Sequence, residues 1–240
     1  MIFFYVRHGD PIYDPDMLTP LGQEQAKAIA KRFATFGLDR IYASSSTRAQ
    51  ETAVPTCQLL KKEMTVLDFA TENLAWRDFT VTREDGRRTW CFQHEETVEL
   101  FRSREIYNMG FEWYKHPALS ENFAHGCERV DTAVDEYFLS LGYRHDREHA
   151  RYEVVTPSRE RVALFAHQGF GLAFLASVMD VPYPIFCTRF DMGHTGMTVI
   201  NFTVKEEGFV YPRLLQVAND GHLYKEGILT GYHNIEHLRF

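Results

Sequence analysis

Cysteine is scarce and scattered in this chain. The 240 residues contain four, Cys57, Cys91, Cys127 and Cys187, and no two form a CxxC pair. That argues against a zinc knuckle or a thioredoxin-like redox pair and leaves reduced thiols in an intracellular protein as the expectation. Long apolar runs are missing, so no membrane span is expected. Met1 to Val6 is apolar, but no basic segment precedes it and Arg7-His8 ends it, so no secretory leader is expected and a cytoplasmic location is. Basic residues are not in excess. Lys and Arg number 26 against 33 Asp and Glu, a net charge of −7. A broad nucleic-acid face does not fit that balance, although a small cationic pocket does. Internal repeats and low-complexity linkers are also lacking.

What is present suits a single domain over residues 1–240, long enough to bury a substantial core. Ile2 to Val6 is short, apolar and rich in β-formers, the pattern of a buried central strand. Arg7-His8-Gly9-Asp10-Pro11 breaks it with turn chemistry. Thr19 is a predicted N-cap with Pro20 at the first helical position. Leu21, Gln25, Ala28, Ile29, Ala30 and Phe33 give the helix one mostly apolar face, and Gly37 ends it. Leu38 to Ala43 reads as a second strand, followed by Ser44-Ser45-Ser46-Thr47 and a helix carrying Arg48, Thr52 and Leu59, which Pro55 should kink. Thr65 to Phe69 is a third strand. This β-α-β-α-β order predicts a three-layer α/β/α sandwich with a mainly parallel central sheet and helices on both faces.

The stretch from about 73 to 126 departs from that alternation. It is crowded with aromatic and charged residues and reads as a mostly helical insertion over the active edge. Cys127 to Leu141 is helical in period, with Gly142 after it. Arg161 to Ala166 is another buried strand ending at a histidine, His167, and Gly169 to Met179 is an apolar helix behind it. Met197 to Val204 and Phe209 to Val217 read as late strands.

Two strands thus end in histidine close to glycine, Arg7-His8-Gly9 and His167-Gln168-Gly169, and a third strand leads to Arg48. Ligands of open α/β sheets bind at the carboxyl ends of the strands. Two guanidinium forks match phosphate oxygens, and a neutral imidazole is a competent nucleophile near pH 7. A strand-end histidine alone is more often structural, and so is a helical arginine. Their convergence at one sheet edge is what gives them chemical meaning.

The motifs together are more specific. Arg7-His8-Gly9, Leu18-Thr19-Pro20-Leu21-Gly22-Gln23-Glu24-Gln25-Ala26, Arg48-Ala49-Gln50-Glu51-Thr52-Ala53 and His167-Gln168-Gly169 occur in order along most of the chain. The sequence resembles the histidine phosphatase superfamily, the phosphoglycerate-mutase-like fold. The resemblance implies a phosphomonoesterase, related to histidine acid phosphatases, acting on a small phosphomonoester through phosphohistidine on His8 without metal or organic cofactor. Arg7, Arg48, His167 and Gln168 would hold the phosphate. Glu72, after the third strand, would be the general acid, with Asp10, Asp14 and Asp78 as competitors. Asp14 stands where many members have asparagine. It and His194, in Gly193-His194-Thr195-Gly196, are possible substrate contacts. A cofactor-dependent phosphoglycerate mutase is the nearest alternative. Such mutases carry an ERxxYG-like stretch at the acid position, whereas this chain has Glu72-Asn73-Leu74-Ala75-Trp76. A non-catalytic phosphate-binding protein of the same fold is the alternative from another class. The pairs His145/His149 and His233/His237 have i,i+4 spacing that could bind metal on a helix. Without a supporting HExxH or Cys/Asp set, they are expected to be solvated.

Overall fold

The computed structural model describes residues 1–204 and 208–231. The chain starts with β1 (Ile2–Arg7), a hairpin of β2 (Pro11–Tyr13) and β3 (Asp16–Leu18), α1 (Pro20–Phe36), β4 (Arg40–Ser44), α2 (Thr47–Leu60) and β5 (Met64–Leu67). Next come α3 (Glu72–Asp78), β6 (Thr80–Thr82), β7 (Arg88–Trp90), α4 (Glu95–Arg102), α5 (Arg104–Met109) and α6 (Asn122–Ser140). The remainder is β8 (Tyr143–Asp146), β9 (Arg151–Val154), β10 (Arg161–Ala166), α7 (Gln168–Val178), α8 (Tyr183–Cys187), β11 (Met197–Asn201), β12 (Phe209–Val210), β13 (Arg213–Asn219) and α9 (Gly221–Lys225).

Six strands form the main sheet in the order β13-β11-β1-β10-β4-β5. β1, β10, β4 and β5 run parallel; on the other side β11 pairs antiparallel with β1, and β13 antiparallel with β11. Alternation along β1 separates two apolar layers, as the period of two requires. Phe3 and Tyr5 join Phe138 and Phe174 of α6 and α7 in one cluster. Phe4 and Val6 join Ile29 and Phe33 of α1 and Ala53 of α2 in the other. The expected three-layer α/β/α sandwich with a mainly parallel sheet is therefore present.

Local chemistry accounts for several boundaries. Thr19 caps α1 by accepting from the Gly22 amide, and Pro20 opens the helix. The helix predicted from Cys127 begins earlier, at Asn122. The predicted late strands are shorter and differently paired: β11 stops at Asn201, and Phe209–Val210 joins β9 in a separate small sheet with β8. The middle segment is mostly short helices, but it also contains the hairpin β6–β7. α2 continues through Pro55. Among the described residues no helix is long and apolar enough to cross a membrane.

Candidate active site

The carboxyl ends of β1, β4 and β10 and the first turn of α3 converge on a cavity of about 880 Å³. Its wall includes Arg7, His8, Asp10, Arg48, Glu72, Gln168 and His194. His8, Arg7, Arg48 and Gln168 are buried.

The motif residues hold the His8 loop in place. The Gly9 amide donates to Thr52 Oγ1 at 3.0 Å, which donates to the Arg48 carbonyl at 2.7 Å. The Asp10 amide donates to Gln25 Oε1 at 2.8 Å, and the Leu18 amide to Glu51 Oε2 at 2.7 Å. A Cβ on Gly9 would lie 2.6 Å from the Gly22 carbonyl, and one on Gly22 2.2 Å from the Asp10 carbonyl. The two glycines let the loop and α1 touch backbone to backbone. From the other side the Thr195 amide donates to the carbonyls of Arg7 and His8. His167 is fixed through its backbone, with the Tyr5 hydroxyl donating to its carbonyl at 2.7 Å.

These contacts set the state of His8. Its Nδ1 lies 2.7 Å from the Gly9 carbonyl, which can only accept, so Nδ1 carries the proton and Nε2 the lone pair. Burial, and then the nearby His167 and Arg7, push its pKa well below the ordinary 6.5. The ring is therefore a neutral base at neutral pH. His167, its ring centroid 5.2 Å from that of His8, is also held neutral by burial and by Arg48 and Arg7. Its Nδ1 accepts from Arg48 at 3.2 Å, and its Nε2 donates to Ser44 Oγ at 2.8 Å. His167 is fully buried and sits behind the cavity wall, unlike the other phosphate-binding candidates.

Arg7 donates to the Met192 carbonyl at 2.6 Å, and Arg48 donates to Asp16 Oδ1 at 2.6 Å. Each keeps a buried Nε without a hydrogen-bond partner among the described residues. The pair therefore carries donor capacity beyond its protein contacts. Glu72 accepts from the Gly169 and Phe170 amides at 2.9 and 2.8 Å, the open N-terminal turn of α7. Burial raises its pKa, opposed by those two amides and by Arg48 and Arg7. The two amides hold both of its oxygens at the cavity wall. Gln168 donates to Asp191. His194 lies 5.7 Å from the His8 ring, with its Nδ1 3.4 Å from Asp10.

Other candidates lie elsewhere. Asp14 is exposed at the tip of the β2–β3 hairpin and outside the cavity wall. Register pairs Tyr13 with Asp16, and those two residues line the cavity together with Pro11. Asp16 also accepts from the Thr47 amide, and so holds the start of α2 as well as Arg48. Its partners lie about thirty residues away, so no local pattern marks it. Asp78 is buried between Arg77 and Arg129 and is structural.

The histidine pairs correct an expectation. His145 and His149 lie on β8 and the turn after it, not on a helix. The His145 side chain is fully buried between Asp135 and Asp180, so it is not solvated, whereas His149 is exposed and pairs with Asp146. His233 and His237 lie outside the described residues. Among those described, no group of three or more His, Cys, Asp or Glu could hold a metal ion. The four cysteines are free thiols.

The family model described as the histidine phosphatase superfamily, branch 1, matches residues 4–213. The chain belongs to that superfamily. Its fold is shared by "Mycobacterial hydrolase 1", 19% identical with a TM-score of 0.58, covering 91% of this chain and 98% of the other. A phosphoserine phosphatase mutant from Entamoeba histolytica, solved with phosphoserine, is 16% identical with a TM-score of 0.56, covering 92% and 98%. A mycobacterial glucosyl-3-phosphoglycerate phosphatase complexed with VO3 is 20% identical with a TM-score of 0.56, covering 90% and 97%. No curated protein matches the chain.

Proposed function

We propose that the protein is a metal-independent phosphomonoesterase that passes its phosphoryl group through His8. One observation carries this reading. His8 is buried and neutral, with its Nδ1 proton committed to Gly9, and it shares a cavity with Arg7, Arg48 and Glu72.

In the first transfer His8 Nε2 attacks phosphorus as the ester oxygen leaves. Arg7 and Arg48 offset the charge on the oxygens that are not exchanged, the role a metal plays in other phosphatases. Glu72 gives its proton to the departing alkoxide. In the second transfer the Glu72 carboxylate takes a proton from the attacking water, phosphate departs, and His8 returns to its neutral form. His167 accepts from Arg48 in the free site. That ring nitrogen is bare, so it would bind a phosphate oxygen only with a proton between them, taken up once Arg48 moves toward the ligand. The structural neighbours that are phosphatases are consistent with hydrolysis.

The test is release of inorganic phosphate from alkyl and aryl phosphomonoesters with and without chelator. Turnover that persists in chelator is the expected result. Loss in chelator with recovery on adding a divalent ion would contradict metal independence.

A further inference from the structure

Glu72 fixes where the leaving group sits. A general acid must reach the ester oxygen, so the carbon skeleton beyond that oxygen lies against whatever surrounds Glu72. Trp76 follows it one turn later on α3 and Trp90 closes β7, and both line the cavity. Their rings meet edge to face at 4.9 Å and 89°. Trp90 also lies against the turn that holds Glu72, since a Cβ on Gly169 would fall 2.3 Å from its ring. Trp76 keeps 37% of its surface exposed, so packing does not use it up. Tyr13 adds a third ring, lying over Arg48 at 5.4 Å. The described cations on the wall are Arg7 and Arg48, and Asp16 occupies one face of Arg48. The cavity is also much larger than a phosphoryl group needs, at about 880 Å³.

Building on the hydrolase reading above, we infer that the site selects phosphomonoesters whose alcohol is flat and apolar, packed on Trp76 where Trp90 backs it, over alcohols bearing a carboxylate. Indole faces favour flat apolar or cationic groups and offer a carboxylate no charge-assisted partner.

Benzyl phosphate, 3-phosphoglycerate and phosphoserine test this, because all three are esters of primary alcohols and differ mainly in what the alcohol carries. Benzyl phosphate is expected to exceed both others in kcat/KM by roughly tenfold or more. Trp76→Ala, at a partly exposed position, should remove most of that advantage through KM and reduce the carboxylate esters far less. Trp90→Leu should act in the same direction. Turnover that favours 3-phosphoglycerate or phosphoserine would overturn this inference and leave the hydrolase reading standing. So would a preference unchanged in both variants. Failure to hydrolyse any ester would take down the hydrolase reading and this inference with it.

Discussion

Two histidines in this protein have buried side chains and are pushed in opposite directions. His8 sits among His167, Arg7 and Arg48, and its pKa falls well below 6.5. His145 sits between Asp135 and Asp180, 2.9 and 2.8 Å from its two ring nitrogens, and its pKa rises although burial alone would lower it. Both ring nitrogens of His145 face carboxylates, so both must donate, and the ring is held as a cation. It stacks on Tyr152 at 4.0 Å, and Arg147 also pairs with Asp135. Burial alone therefore says little about a histidine. The sign of the neighbouring charges decides whether the ring stays neutral or is held as a cation.

The largest effect that separates the two is expected at His8. His8→Ala should lower turnover on the order of 10⁴-fold or more, because no second nucleophile replaces it. A steady-state assay on an aryl phosphate measures this, and near-normal rates would place the nucleophile elsewhere. Next comes Glu72→Gln. It should slow alkyl esters by about 10²–10⁴-fold and aryl esters much less, since a good leaving group needs little protonation. Equal losses on both ester types would remove Glu72 from the acid role, with Asp10 the remaining carboxylate of that set on the cavity wall.

The other half of the comparison concerns stability. His145→Gln should cost about 2 kcal/mol of folding free energy, a value discounted because Asp135 is partly exposed. The sign follows from linkage. The folded pKa of His145 lies above its unfolded 6.5, so its contribution is fully present below pH 6.5 and fades as pH rises through the folded value. Asp135 titrates below its ordinary 3.8, so the pair weakens again as pH falls through that lower value. Urea melts of wild type and variant across pH 4–9 should show the gap shrinking on the alkaline side. A gap that grows there would mean the ring is neutral in the folded protein. His8 has the opposite linkage and opposes folding as pH falls below 6.5. The smallest effect is Asp16→Asn. Freeing Arg48 from its ion pair should change KM by roughly tenfold or less while turnover stays measurable. An unchanged KM would mean the pair does not tune phosphate affinity.

Much of this site was legible because its parts are local. Arg7-His8-Gly9, the Thr19 cap, and the Arg48-to-Thr52 turn each combine a strand end or helix start with residues whose chemistry shows in sequence. The alternating core of β1 and the apolar α7 were legible for the same reason. What the sequence hid depends on long-range packing. Asp16 matters through Arg48, Trp90 through Gly169, and His145 through Asp180. The hairpin puts Asp14 at its tip and Asp16 on the cavity wall, and which hairpin residue faces the cavity depends on how the hairpin packs on distant α2.

Covalent trapping tests the central claim most directly. Wild-type protein is mixed with excess phosphomonoester, quenched in alkali within the first turnovers, digested and analysed for a phosphoryl group on the peptide that carries Arg7-His8-Gly9. The account predicts phosphoryl on His8 that disappears once substrate is exhausted, and none in His8→Ala. Steady turnover with His8 never phosphorylated, or with the phosphoryl group on another residue, would contradict it.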